Sequence, residues 1–150
     1  SNSEINKEFY NHINKTYTKN GLWSIYKTSP EFHKMINNEK FYELFSNMEY
    51  ISLKITYPSL NEKIENNAEN NSIEILDKNT VFNLSIMNKN KESAEILYKE
   101  IKSELQALIT LYESNKKLKE LLSTMKLSIL KDRINIILKV SIRQLIGILN

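Results

Sequence analysis

The chain has no cysteine. Disulfides, thiolate metal sites and a cysteine nucleophile are thereby excluded. Glycine is almost as scarce, with Gly21 and Gly147 standing alone. Two isolated glycines cannot build a Gly-x-Gly-x-x-Gly turn or a Walker loop, so no Gly-rich phosphate cradle exists. A serine nucleophile elbow needs flanking glycines too, and none flank a serine here. Histidine is confined to His12 and His33, each alone in its local sequence. No His-x-x-x-His or Glu-x-x-His pair sets two metal ligands on one helix face. No run of 18 apolar residues occurs. The richest stretch, 134–149, is broken by Asn135, Lys139, Ser141, Arg143 and Gln144, so nothing in it has the make-up of a membrane span. Ser1-Asn2 has the look of a tag-removal scar and is set aside. Such a scar is what an excised fragment would carry, and in a fragment the lack of targeting or anchoring segments says little about the native protein.

Excess charge is also lacking. The formal net charge is +3, too small to carry an expectation of nucleic acid. It is unevenly spread. Residues 1–90 hold 10 Lys against 11 acids, and residues 91–150 hold 11 Lys or Arg against 7 acids, giving −1 and +4. The basic half is a solvated helix face or a contact for anionic lipid or glycan.

What is present is asparagine, isoleucine and lysine, 59 of the 150 residues, a bias expected of an AT-rich genome. The length suits a single domain at 3–150 with a buried core. Its expected parts are an α/β base over 3–90 and a mainly helical extension over 91–150. Residues 4–17 carry a helical stripe of Ile5, Phe9, Tyr10 and Ile13. Asn20-Gly21 suggests a turn. Ser29-Pro30 opens a helix with Ser29 as N-cap, bearing Phe32, Met35, Ile36, Phe41, Leu44 and Phe45. Residues 50–57 alternate as a strand, with Ile51, Leu53 and Ile55 on one side. Residues 61–72 form a polar loop and 73–76 a short strand. Asp77-Lys78-Asn79 makes a hairpin connection to the strand 80–87, where Phe82, Leu84 and Ile86 share a face.

After the polar run 88–91 the period turns helical: Ala94, Leu97, Ile101, Leu105, Leu108 and Tyr112. With no true breaker at 113–117, the helix is expected to run on to about Leu130, or to fold back near 113–117. Residues 133–143 fit both periods, and the lack of upstream turn residues favours helix. Phe82, Leu84, Ile86, Ile51, Leu53, Ile55, Leu97 and Ile101 are the expected core. The fold class is α+β: a small mixed sheet of 50–57, 73–76 and 80–87, covered by helices, with one long projecting helix.

Acidic pairs at helical spacing (Glu62/Glu65, Glu92/Glu95, Glu100/Glu104) have the pattern of solvated faces, with Glu95–Lys99 and Glu113–Lys117 as i,i+4 ion pairs. A glycosidase would need two carboxylates across a cleft. The aromatics before residue 50 follow core spacing, with Trp23 the best candidate for an exposed stacking platform. No catalytic, cofactor or metal residues are assigned. One constellation stands out. From Ile101, every seventh residue gives Leu108, Asn115, Leu122, Ile129 and Ile136. Leu111, Leu118 and Met125 lie three further on, and Glu104 and Asp132 also fall at d. This approximates an a/d seam. It makes Leu108, Leu111, Leu118, Leu122, Met125 and Ile129 candidates for an oligomer or helix-packing interface.

The segment 73–111 resembles the periplasmic domain of bacterial polysaccharide chain-length determinants, the Wzz-type co-polymerases. The matching residues are the strand Phe82-Asn-Leu-Ser-Ile86, a polar connector, and Lys91-Glu-Ser-Ala94 opening a helix with Ile96, Leu97, Ile101 and Leu105. The family's flanking spans and Pro-rich stretch are not seen here. The resemblance implies a non-enzymatic protein without cofactors, anchored in the bacterial inner membrane with this domain in the periplasm. It would assemble with itself as a homo-oligomer and set the chain length of a surface polysaccharide such as O-antigen or capsule. Its further partners would be a polysaccharide polymerase and its glycan product. The alternative is a helical protein–protein interaction domain of another membrane or secreted protein. Neither reading involves nucleic acid.

Overall fold

The computed structural model describes residues 21–29, 39–58 and 77–149. In chain order these form β1 (Gly21–Lys27), α1 (Glu39–Phe45), β2 (Met48–Thr56), β3 (Asn79–Asn88), α2 (Lys91–Leu111), α3 (Lys116–Ser123), β4 (Lys126–Leu130), β5 (Arg133–Ser141) and α4 (Ile142–Leu149). The fold is α+β. The expected helix at 4–17, the loop 61–72 and the strand 73–76 lie outside the described residues, as does the first part of the helix expected from Ser29-Pro30 to Phe45, whose last part is α1.

The sheet has five strands in the order β1-β2-β3-β5-β4. Every described ladder is antiparallel, where a mixed sheet is expected from the sequence. The difference comes from the C-terminal part. The chain leaves β3, crosses over as α2 and α3, enters the edge strand β4, and turns back as β5 into the gap between β3 and β4. This is a split β–α–β unit. Residues 126–141 therefore complete the sheet rather than extend a helical arm. Residues 91–150 are mainly helical by count, but β4 and β5 join them to the same sheet as β1, β2 and β3, and 133–141 is strand.

Register sorts the faces. Ile51, Ile86, Ile134 and Ile129 are cross-strand neighbours in one row, and Leu53, Leu84, Ile136 and Leu127 in the next. Such same-face pairs are the unit of sheet stabilisation. The other face carries Ser52, Ser85, Asn135 and Ser128 in register. Helix α2 lies on the apolar face and buries Ala94 and Leu97 against Met48, Ile86 and Ile134. Full burial of a side chain such as Leu97 stabilises by about 1.5–3 kcal/mol. Of the expected core, Ile86 and Leu97 are buried. Leu84, Ile51 and Ile101 are half-buried against that cluster, and Phe82, Leu53 and Ile55 are half-buried further from α2. At the other end of the same face Val140 of β5 is buried as well.

Local chemistry sets the boundaries. Asn90 caps α2, its Oδ1 accepting from the Ser93 amide at 2.8 Å. Helix α2 is 21 residues long, or roughly 30 Å. It stops well short of Leu130, because the chain turns through 112–115 and Asn115 caps α3, accepting from the Leu118 amide at 3.1 Å. Asn115 thus ends the seam rather than occupying an a position in it. The tight β4–β5 turn places Lys131 at φ 57°. Ser141 and Gln144 form a reciprocal capping box for α4. The Gln144 amide donates to Ser141 Oγ at 3.2 Å, and the Ser141 amide donates to Gln144 Oε1 at 2.9 Å. Gly21, expected in a turn, is the first residue of β1 and sits opposite Thr56.

Candidate functional site

The apolar stripe of α2 does two jobs. Its first turns, with Ala94 and Leu97, close on the sheet. Further along, Ile101, Leu105 and Leu108 form one wall of an open cleft of about 300 Å³. Leu44 and Phe45 of α1 form a second wall, and Leu122 of α3 with Met125 just beyond it a third. Its described lining comes from the helices and from Met125 just after α3. Among the described residues its charged lining is Glu100 and Glu104. Both belong to α2, four residues apart, at about 6 Å of rise. They share one wall, and the facing walls are apolar, so these carboxylates do not flank a substrate from opposite sides.

The six candidate interface residues separate in space. Leu108, Leu122 and Met125 meet at the cleft. Leu118 is half-buried in α3. Leu111 stands at the hairpin tip outside the cleft, 69 % exposed. Ile129 is on strand β4, opposite Ile134, and packs on the core cluster. The continuous seam does not form. Leu44, Phe45 and Leu105 were legible as apolar positions but not as cleft walls; the signal was an α2 stripe longer than three strands can cover.

The remaining candidates are placed as follows. Trp23 is in strand β1 at the sheet edge, 38 % exposed. Glu95 pairs with Lys91 at 3.4 Å and Glu113 with Lys119 at 3.0 Å, in place of the expected Lys99 and Lys117. The reach from Glu113 is set by the turn at 112–115. His12, His33, Glu62 and Glu65 lie outside the described residues. Among those described, no three His, Cys, Asp or Glu gather as a metal site, and no helix is long and apolar enough to cross a membrane. Asn88 is buried. Its amide donates to the Asp132 carbonyl at 2.9 Å and its side-chain Nδ2 to the same oxygen at 3.3 Å. Both bonds tie the end of β3 to the β4–β5 turn.

Arg143 of α4 makes a bidentate pair with Asp77: Nε donates to Oδ1, and Nη2 to Oδ2 at 3.2 Å. This hydrogen bonding holds the Asp77 carboxyl below the ordinary aspartate range and pushes Arg143 up. No protein-family model matches this sequence, and neither a curated protein nor a solved structure matches it.

Proposed function

We propose that the chain is a non-enzymatic binding module that holds an apolar helical segment in the cleft between α1, α2 and α3. The observation that carries this is the lining: leucine, isoleucine, phenylalanine and methionine from three helices, with two carboxylates on one wall. Such a concave apolar surface fits helix-in-groove recognition, where anchors at i, i+3, i+4 and i+7 enter the groove. The test is fluorescence anisotropy with a labelled amphipathic peptide carrying leucine at those spacings on an Ala–Lys background. Wild type and Leu111→Glu should bind alike, while Leu108→Glu and Met125→Glu should weaken binding by tenfold or more with the circular dichroism unchanged. Equal binding by all four proteins would falsify the assignment.

The resemblance to chain-length determinants adds a proposal for what the module serves: homo-oligomeric control of surface polysaccharide length at the bacterial inner membrane. In its support, the strand β3, the polar connector and the alanine-bearing start of α2 occur in the order the resemblance implies. The fold-back after Leu111 gives a shorter projection than that resemblance leads one to expect. Light scattering on this chain checks it, since a monomer removes the assembly the reading needs.

A further inference from the structure

We draw no further inference here: the strongest candidate, the sheet face turned away from α2, on which the register sets Lys27, Lys54, Lys126, Arg133 and Lys139 together, carries nothing because nothing in the structure shows what covers it.

Discussion

At the scale of single residues, the two glycines are there for different reasons. A Cβ on Gly21 would lie 1.8 Å from the Ile55 carbonyl oxygen, backbone that cannot move without opening the β1–β2 ladder. Gly21→Ala should therefore cost about 1–3 kcal/mol, read as a drop in the urea midpoint. A Cβ on Gly147 would meet only the Lys117 side chain, at 3.8 Å and beyond, which is ordinary contact. Gly147→Ala should stabilise by about 0.4–1 kcal/mol through the entropy of the unfolded chain. If both substitutions shift the midpoint the same way, the assignment of these contacts is wrong. Asp77 gives a pH prediction. Its carboxyl is depressed by the Arg143 hydrogen bond, so its contribution is present above the unfolded pKa and lost as pH falls through the folded one. Asp77→Asn should differ from wild type near neutrality, by a small amount for so exposed a pair, and converge with it in strong acid. A difference that grows on acidification contradicts this.

At the scale of elements, β2, β3 and α2 were readable because their apolar periods are long and unmixed: Ile51, Leu53 and Ile55 at two, Ala94, Leu97 and Ile101 at three or four. The β4–β5 hairpin was not. Its turn places Lys131 in the left-handed region, where the expected residue is Gly or Asn, so no turn signal marked the reversal and the helical stripe through 130–145 read on undisturbed. The boundary at 141 did have a signal, the Ser-x-x-Gln capping box at Ser141 and Gln144, which looked like mere polar interruption of an apolar run. The cleft was half legible. Leu108, Leu122 and Met125 were grouped by heptad arithmetic, yet they meet because the chain doubles back, while Ile129 goes to the sheet. Relief of strain at Lys131 is testable. Lys131→Gly removes a left-handed penalty of about 1–2 kcal/mol, partly offset by the flexibility of glycine in the unfolded chain. A net gain of about 0.5–1 kcal/mol in chemical denaturation is expected, and a loss would place the side chain in a stabilising contact instead.

At the scale of the whole molecule, the question is whether the C-terminal part is an appendage or a structural half. Strand β5 pairs with β3 over nine positions, from Asn79↔Ser141 to Met87↔Arg133, and supplies Ile134 and Val140 to the buried set. Removing it would turn β3 from an interior strand into an exposed edge, with a row of unpaired amides and carbonyls. It would also strip the partner of Ile86 from the floor beneath Leu97. Helices α2 and α3 would then lie over a sheet of β1, β2 and β3 alone, too little apolar area to offset the entropy of ordering the chain. A fragment ending at residue 125 is thus predicted not to fold, though it keeps every helix before β4. The segment 126–150 added in trans should restore the far-ultraviolet spectrum and amide dispersion by supplying the missing β4–β5 hairpin and α4. A detached helical arm predicts the reverse: the fragment would melt cooperatively by itself, and the added peptide would change nothing. Nuclear magnetic resonance of the labelled fragment with and without the peptide separates the two, because the Ile86 and Leu97 methyl groups leave the random-coil range only when Ile134 lies against them.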